Sequence, residues 1–402
     1  MKILQINSTL NWGSTGRIAE EIGQKIIEEG GINYIAYGRY ANQTQSEEIR
    51  IKGKWSIYNH VLQTRLFDRH GLASKKATLK LVKQIKDIKP DIIHLHNIHG
   101  YYLNFPVLFE YLSSIHIPVV WSLHDCWPFT GHCSHYMSIG CNRWQTQCYH
   151  CPLKKEYPSS LFLDRSESNY NEKKAFFNSV KDLTLVPVSN WLANEIDKSF
   201  FKDKTRRVIH NGIDINTFSP VNSLKGELGL NEKMIVLGVC SVWTDKKGLS
   251  DFLRLRDNLS EDYVIILIGL TNSQIKQLPQ GVIGIERTNS AQELAAYYSS
   301  ADVFFNPTWE DNFPTTNLEA LACGTPVITF RTGGSPEAID EHTGFVVNQG
   351  DLEGAIRAME QIKSVGKGAY TQACRERAVK YFNKKDRYAE YLQLYNEILN
   401  KK

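Results

Sequence analysis

The chain has 402 residues, a hydrophobic content of 42%, a charged content of 22% and a formal net charge of +4. This length suits two domains of moderate size better than one. The apolar runs are far shorter than the roughly 20 residues of a membrane span, and the N-terminus MKILQINS lacks the long apolar region of a signal peptide. We therefore expect a cytoplasmic globular protein, and the mild charge gives no argument for nucleic-acid binding.

Strands and helices alternate in the first half of the chain. The helix after the first strand carries Ile18, Ile22 and Ile26 on one stripe. Strands that alternate with helices of this length predict a parallel sheet covered by helices on both faces. The predicted strands are KILQIN, INYIAYG, DIIHLHN and PVVWSLHD.

A lysine-rich helix is predicted in ASKKATLKLVKQIKDIKP, where Leu79, Val82 and Ile85 recur at helical spacing. The simpler interpretation is a helix that covers the sheet and leaves its lysines in solvent. The alternative is a helix that also contacts anionic lipid, so that the protein lies peripherally on the cytoplasmic face of the inner membrane.

A second series of strands and helices follows VIHNGIDINTFSP, whose Asn-Gly pair and proline interrupt the first. We expect two doubly wound, Rossmann-like α/β domains, 1–212 and 213–383, which face each other across a cleft. The last helix, 384–402, is expected to pack back on the first domain. The strands of the second series are MIVLGVCSV, YVIILIG, DVFFNPT and PVITF.

Ligands of open parallel sheets bind beyond the carboxyl ends of the strands, and the first such segment is NWGSTGRIAEEI. Its Gly13 and Gly16 form a turn, and Arg17 stands at the predicted entrance of the helix. Free backbone N–H groups there would suit an anion. A plain strand-to-helix turn explains the pattern about as well, since neither a dinucleotide nor a Walker motif is present.

His124 ends the strand of WSLHDCW and is followed by Asp125. A histidine and a carboxylate at the ligand edge of a sheet are well placed to contact a substrate. The alternative is a histidine that only caps the end of the strand.

A cysteine cluster follows in HCSHYMSIGCNRWQTQCYHCP. Cys133, Cys141, Cys148 and Cys151 could hold a structural zinc ion, with nearby histidines (His132, His135 and His150) as alternative ligands. The competing interpretation is a loop packed by reduced cysteines, because disulfides are rare in the cytoplasm.

Lys246 and Lys247 precede Gly248 at a predicted helix start. Lysines at a helix N-terminus are unfavourable unless an anion offsets them, so this segment predicts a phosphate site. A solvated lysine pair is the alternative.

Glu319 follows the strand of DVFFNPT and a turn with Asp311. In TNLE it could form a capping box with Thr316, or it could hold a ligand at the edge of the second sheet. After the next strand, Gly333 and Gly334 would permit close approach of a ligand to the backbone.

Together, these segments resemble the family 4 glycosyltransferases of the GT-B fold, of the type found in bacterial polysaccharide biosynthesis. The resemblance is strongest in EDNFPTTNLEALACGTPVITFRTGGSPEAI, which is similar to the E-x7-E signature of that family and its glycine pair. KKGL and VIHNGIDINTFSP match its phosphate-binding and inter-domain segments.

The resemblance implies a retaining glycosyltransferase of hexosyltransferase type that needs no catalytic metal. The C-terminal domain would bind a nucleoside diphosphate sugar and the N-terminal domain a glycan or lipid-linked acceptor. Glu319 would bind the ribose, Lys247 the diphosphate and Asp311 the donor sugar, while His124 would approach the reaction centre and Gly16 the diphosphate and acceptor. The other implied donor-binding residues are Lys246, Glu310, Asn312, Phe313, Gly333 and Gly334.

Two features depart from the family pattern. By alignment on Phe313, the first acidic residue of the signature is Asp311 rather than a glutamate, with Glu310 beside it as the alternative. Ser241 and Val242 occupy the place of the usual Gly-Arg pair, so that Lys246 or Arg331 would have to supply the missing positive charge.

Alternative functions are a nucleotide-sugar epimerase, which would turn over without an acceptor, and a non-catalytic subunit that binds nucleotide sugars.

Overall fold

The computed structural model describes residues 1–51 and 53–401, and these divide into two compact units. The first comprises Met1–Ile209 and the C-terminal residues from Tyr388, and the second comprises His210–Arg387. The predicted division lies between residues 212 and 213. Within the described residues, none of the helices has both the length and the apolar character needed to cross a membrane.

The first unit is built on a parallel sheet of seven strands in the order β3-β2-β1-β4-β5-β6-β7. Its central strands are buried on both faces, which explains why most of their residues are apolar. The strands are β1 (Lys2–Asn7), β2 (Ile32–Tyr37), β3 (Glu47–Arg50), β4 (Ile92–Leu95), β5 (Val119–Leu123), β6 (Leu183–Pro187) and β7 (Thr205–Arg206).

The helices of this unit cover the sheet through apolar stripes. In α1 the predicted stripe of Ile18, Ile22 and Ile26 is buried. In α3 Val82 and Ile85 are buried, but Leu79 is 51% exposed, so its predicted burial is wrong. The helices are α1 (Gly13–Glu28), α2 (Lys54–Phe67), α3 (Lys75–Ile88), α4 (Phe105–Ser113), α5 (Ser166–Ser179) and α6 (Asn190–Asp197).

The C-terminal helix α13 (Lys384–Asn400) packs into the core of the first unit from Tyr388 onward. The Tyr395 hydroxyl lies 2.7 Å from Nδ1 of His94, and Nε2 of His94 lies 2.8 Å from the Ser122 hydroxyl. Tyr391 meets the same hydroxyl at 3.0 Å. Burial lowers the pKa of His94 to about 3, so this buried imidazole is neutral and both its nitrogens are hydrogen-bonded.

The second unit contains a parallel sheet of six strands in the order β10-β9-β8-β11-β12-β13. The strands are β8 (Met234–Val239), β9 (Tyr263–Ile268), β10 (Val282–Ile285), β11 (Val303–Asn306), β12 (Val327–Phe330) and β13 (Gly344–Val347). The helices are α7 (Leu249–Asp257), α8 (Asn272–Ile275), α9 (Ala291–Ser300), α10 (Thr315–Ala322), α11 (Leu352–Val365) and α12 (Gly368–Phe382).

The strand order of the second sheet indicates the edge at which a ligand would bind. From β8 the chain moves outward through β9 to β10, and it then returns to β11 on the other side of β8. The direction of winding therefore reverses between β8 and β11. Ligands of doubly wound sheets bind at this switch point, beyond the carboxyl ends of the strands. Both sheets confirm the predicted α/β class.

Removing the Tyr395 hydroxyl should destabilise the first unit, because Nδ1 of His94 would remain buried without a partner. For Tyr395→Phe we expect the free energy of unfolding of this unit to fall by about 1–3 kcal/mol. Native-state hydrogen exchange of peptides from β4 and β5 measures this change.

Tyr381→Phe is the matched control, because Tyr381 is 44% exposed in the second unit, and its effect should stay within about 0.5 kcal/mol. Equal stability of Tyr395→Phe and the unchanged protein would show that the buried hydrogen bond does not hold α13.

Candidate functional site

The predicted residues of the second unit follow three neighbouring strands. Lys246 and Lys247 follow β8, Glu310 and Asp311 follow β11, and Gly333 follows β12. Strands β8, β11 and β12 are adjacent in the sheet. These segments therefore lie at the switch point, where an open parallel sheet binds its ligand.

Lys247 is the central cation of this edge. Its ammonium donates to Oδ2 of Asp311 at 2.8 Å and to the carbonyl oxygen of Glu310 at 2.9 Å. Burial acts to lower the pKa of Lys247, but the carboxylate of Asp311 outweighs it and the pKa is raised. An ammonium has three donors, and no third acceptor is present in the described part of the chain. The site therefore offers a fixed, charged donor to an anion.

Lys246 and Glu310 form a second ion pair beside the first, at 3.1 Å. The Glu310 side chain is 8% exposed and that of Asp311 is 26% exposed, so Asp311 is the more accessible carboxylate. The lysines do not start an α-helix as predicted. Asp245–Lys247 form one 3-10 turn, and α7 begins only at Leu249.

Glu319 lies in the second turn of α10. The helix begins at Thr315 with Pro314 as its N-cap, so the alternative in which Thr316 is the N-cap of a capping box is wrong. The Tyr298 hydroxyl donates to Oε2 of Glu319 at 2.8 Å. Tyr298 thus orients this buried carboxylate, and an ionised carboxylate has about four lone-pair sites with which it could also accept a ligand hydroxyl.

The glycine pair packs the loop after β12 directly on the loop after β11. Gly333 has a φ of 52°, and a Cβ atom there would lie 1.8 Å from the carbonyl oxygen of Asp311. The N–H of Gly334 donates to the carbonyl oxygen of Asn312 at 3.1 Å. Only glycine permits this approach, which positions the backbone of Asp311.

Phe313 and Asn312 are interior residues of the same loop. Phe313 is 4% exposed, and its ring centroid lies 4.8 Å from that of His210. Asn211 donates to the carbonyl oxygen of Phe313 at 3.3 Å. The Phe313 ring thus supports the loop from the core of the second unit.

The two residues that replace the Gly-Arg pair of the family are exposed. Val242 is 67% exposed and Ser241 is also exposed. Arg331 is exposed at the end of β12, where its backbone N–H donates to Val347. Lys246, by contrast, stands beside Lys247 and is paired with Glu310, so it is the second cation found at this edge.

Several residues of this site were missed by the sequence analysis. Asn306 donates to the side chain of Asn317 at 2.8 Å, and Asn317 donates to the carbonyl oxygen of Ser335 at 3.4 Å. These bonds tie the end of β11 to α10 and to the turn after β12. The available signal was an asparagine at the end of a buried strand and another inside an apolar helix. Tyr298, which holds Glu319, stands in a helix without any distinguishing pattern.

In the first unit, the loop after β1 enters α1 earlier than predicted. The helix begins at Gly13 with Trp12 as N-cap, so Gly16 and Arg17 lie one turn inside it and are not its entrance. Gly16 is buried against the loop, and a Cβ atom there would lie 2.7 Å from the Thr9 hydroxyl. Arg17 is exposed.

His124 directly follows β5 and heads a chain of hydrogen bonds. Its Nε2 lies 3.2 Å from Nδ1 of His96, whose Nε2 lies 2.8 Å from the side-chain oxygen of Gln5. Burial lowers the pKa of His124 to about 4, against a smaller opposing effect of Asp125. His124 is therefore neutral at pH 7 and suited to hydrogen bonding with an uncharged hydroxyl.

Asp125 pairs with His99, a residue that the sequence analysis missed. Their side chains meet at 2.7 Å, and the other ring nitrogen of His99 lies 3.0 Å from the Tyr157 hydroxyl. Burial acts to raise the pKa of Asp125, but His99 outweighs it and the pKa falls to about 2. The signal was the histidine-rich HLHNIHG at the end of β4, which is the neighbour of β5.

The four cysteines of the predicted zinc site line one small cavity. All eight cysteines of the chain are free thiols. Within residues 1–51 and 53–401, no three histidine, cysteine, aspartate or glutamate side chains form a preformed metal-binding group.

Two family models match the chain, one in each half. The model described as Glycosyltransferase Family 4 matches residues 34–217, and that described as Glycosyl transferases group 1 matches residues 233–364. A relative from Escherichia coli (strain K12), named as the colanic acid biosynthesis glycosyl transferase WcaC, is 23% identical over 373 residues. That alignment covers 88% of each chain.

Solved structures resemble the whole chain in fold. Sucrose-phosphate synthase from Thermosynechococcus elongatus superimposes with a TM-score of 0.74 at 17% identity, covering 100% of this chain and 99% of the other. Anabaena Alr3699/HepE, solved in complex with UDP, superimposes with a TM-score of 0.70 at 16% identity, covering 99% and 100%. The chain belongs to the family 4 glycosyltransferases, which have the GT-B fold.

Proposed function

We propose that this chain is a retaining hexosyltransferase that moves a sugar from a nucleoside diphosphate sugar to a glycan or lipid-linked acceptor in surface polysaccharide biosynthesis. The observation that carries the proposal is the Lys247–Asp311 ion pair at the switch point of the second sheet. The name of the relative WcaC supports the polysaccharide assignment. The structures of HepE in complex with UDP and with UDP-glucose support the class of donor.

The second unit would bind the diphosphate and the ribose of the donor through different side chains. Lys247, whose ammonium has two acceptors among the described residues, would neutralise the diphosphate together with Lys246. Glu319 would accept hydrogen bonds from the ribose hydroxyls while Tyr298 holds the carboxylate in place. The glycine pair keeps the backbone around Asp311 in position beside the donor sugar.

Sugar transfer breaks the bond between the anomeric carbon and the diphosphate oxygen, and negative charge develops on the departing diphosphate. Fixed cations aimed at that charge stabilise the transition state without a catalytic metal. The sugar gains oxocarbenium character, which the nearby carboxylate of Asp311 would tolerate. The acceptor hydroxyl oxygen then bonds to the anomeric carbon, and its proton passes to the departing diphosphate oxygen.

The first unit would bind the acceptor at the carboxyl edge of β4 and β5. Neutral His124 would hydrogen-bond a sugar hydroxyl at the reaction centre. The Asp125–His99 pair places a buried charge and an oriented imidazole next to it. Gly13, Gly16 and Arg17 belong to the first loop of this unit, which would lie near the acceptor.

We propose that an exposed apolar surface of the first unit contacts the membrane in which a lipid-linked acceptor would lie. Helix α2 turns apolar side chains towards solvent and buries polar ones. Trp55, Tyr58 and Leu62 are 87%, 68% and 55% exposed, while His60 and Thr64 are fully buried. An outward apolar stripe of this kind marks an interaction site. Aromatic side chains on such a stripe favour the membrane interface.

Apolar and basic groups continue around this stripe. Phe162 is 66% exposed in a loop whose Leu161 N–H donates to the carbonyl oxygen of Arg65 in α2. Ser74, at the start of α3, contacts His60 of α2 at 2.9 Å. The exposed lysines of α3 and its C-cap would add attraction to anionic lipid, at about 1 kcal/mol each near the surface. They are Lys75, Lys76, Lys80, Lys83, Lys86 and Lys89.

A transfer assay tests the reaction and the role of Lys247 together. UDP-, GDP-, ADP- and dTDP-sugars are each incubated with a lipid-linked glycan extract, and release of nucleoside diphosphate is measured. We expect one of these donors to release its nucleoside diphosphate, and to do so only when the extract is present. Lys247→Ala should lower kcat/KM by about 10²–10³-fold, as loss of one transition-state donor does, whereas Lys276→Ala, an exposed lysine of the same unit, should not.

Three outcomes would contradict this proposal. Isomerisation of the donor sugar without the extract would identify an epimerase. Binding of a nucleotide sugar without turnover by any extract would identify a binding subunit. Full activity of Lys247→Ala would remove the diphosphate assignment.

Glu319→Gln tests the ribose contact independently of catalysis. We expect the variant to bind the preferred nucleoside diphosphate about tenfold more weakly, because hydrogen bonds to a charged group contribute about 1.5–3 kcal/mol. A 2′,3′-dideoxy analogue should bind both proteins equally. Titration calorimetry measures both affinities, with Glu353→Gln as the control, since the Glu353 side chain is 90% exposed. An equal loss for both ligands would show that Glu319 does not contact the ribose.

Vesicle binding tests the proposed membrane surface. The double variant Trp55→Ser and Phe162→Ser should bind phosphatidylcholine–phosphatidylglycerol vesicles at least about tenfold more weakly, because burying each side chain contributes about 1.5–3 kcal/mol. Tyr381→Ser, in the second unit, is the control. Cosedimentation measures the partition, which should also weaken in high salt. No vesicle binding by the unchanged protein would exclude a membrane surface.

A further inference from the structure

The segment between β5 and α5, residues 126–165 and here called the cysteine loop, contains a cluster of side chains that the proposed function does not use. Cys133, Cys141, Cys148, Cys151 and His132 line one cavity of about 20 Å³. A cavity needs at least about 10–15 Å³ to hold one water molecule. This cavity therefore has the size for a single ion and is too small for an organic ligand.

His132 is the side chain that points most directly to a metal ion. Its Nδ1 lies 2.7 Å from Oδ1 of Asp68, and both side chains are fully buried. Its Nε2 is buried and has no hydrogen-bond partner among the described residues. Histidines that bind metal almost always bond a carboxylate, carbonyl or water through the other ring nitrogen. An ion in the cavity would satisfy the orphan nitrogen.

Two further hydrogen bonds hold Asp68 in place, and Asp68 in turn sets the orientation of the His132 imidazole. Its Oδ2 accepts the backbone N–H of Arg165 at 2.8 Å. Its carbonyl oxygen accepts a hydrogen bond from Asn169 at 2.9 Å. His132 therefore cannot turn away from the cavity without breaking a buried contact.

Three thiols accompany His132. Cys133 and Cys151 line the same cavity as His132. Cys148 accepts the backbone N–H of Gly131, the residue before His132, at 3.1 Å. By contrast, the thiol of Cys141 forms no hydrogen bond in the described part of the chain.

The charge of the surroundings suits a thiolate cluster. Lys173 is 1% exposed, and its ammonium donates to the carbonyl oxygens of Trp127 and Thr130 at 2.7 and 3.0 Å. Among residues 1–51 and 53–401, no carboxylate forms an ion pair with it. A buried cation is costly unless negative charge lies nearby. One zinc ion with three thiolates and a neutral histidine carries a net charge of −1, which would offset that of Lys173.

We propose that the cysteine loop binds one Zn²⁺ through Nε2 of His132 and the thiolates of Cys133, Cys148 and Cys151, with Asp68 as the carboxylate behind the histidine. Nitrogen and sulfur ligands in a set of four are those of structural zinc sites. Three thiol protons pass to solvent when the ion binds. Because the ligands are not preformed around one point, the thiol side chains turn into the cavity that they already line.

The ion would stabilise a loop that borders the proposed acceptor site. The cysteine loop begins directly after Asp125 and contains Tyr157, whose hydroxyl bonds His99. Loss of the ion should therefore loosen the Asp125–His99 pair as well. This role is structural, and it does not depend on which sugar the enzyme transfers.

Metal analysis of the full chain, purified with a non-thiol reductant and no added metal, tests the site. We expect about one zinc ion per chain and, after exchange for Co²⁺, absorption bands of a tetrahedral site with thiolate ligands. His132→Gln and Asp68→Asn should lower the affinity for zinc by at least about 10–100-fold, as changes around a metal site do. Cys141→Ser and Cys240→Ser, which leave the proposed ligands intact, should retain the ion.

The same preparations give results that would overturn the proposal. Absence of near-stoichiometric zinc, with eight titratable thiols, would show a loop packed by reduced cysteines. Six titratable thiols without reductant would show a disulfide instead. Retention of zinc by His132→Gln and its loss from Cys141→Ser would show a site of four cysteines. A thermal shift assay with and without chelator verifies that His132→Gln is folded.

Discussion

The ion pair between Lys247 and Asp311 joins the loop after β8 to the loop after β11, across the point where the second sheet reverses its winding. The other contacts of this edge depend on it or support it. Gly333 lets the loop after β12 press on the carbonyl oxygen of Asp311, and Asn317 ties β11 to the same loop. A cation fixed in this way needs little reorganisation when charge develops on a departing diphosphate, which is why preorganised charge is effective in catalysis.

The two units differ in the electrostatics of their ligand edges. The second unit presents ammonium groups paired with carboxylates, which suits an anionic donor. The first presents a neutral histidine, His124, beside Asp125, whose carboxylate is hydrogen-bonded to His99. Such hydrogen-bonding groups suit the hydroxyl groups of a sugar acceptor. This division of chemistry follows from which side chains end the strands, since both sheets are parallel and open.

The sequence was sufficient to predict both parallel sheets, because buried strands and amphipathic helices have distinct periods. It also predicted which segments follow the strands around the switch point of the second sheet, since each of them directly follows a buried strand. It could not show that Tyr298 holds Glu319 or that His99 pairs with Asp125, because these contacts join elements distant in the chain. The capping-box alternative at Thr316 is wrong: TNLE satisfies the capping pattern locally, whereas the chain enters the helix at Thr315. Leu79 was misplaced because helical spacing alone does not decide which stripe faces the sheet.

A crystal structure of the chain with its nucleoside diphosphate sugar tests the central claim most directly, through the distance from Nζ of Lys247 to the nearest diphosphate oxygen. The account predicts a charge-assisted hydrogen bond of about 2.7–2.9 Å, with Glu319 at similar distance from a ribose hydroxyl. A diphosphate bound elsewhere, with Lys247 still bonded only to Asp311 and Glu310, would contradict it.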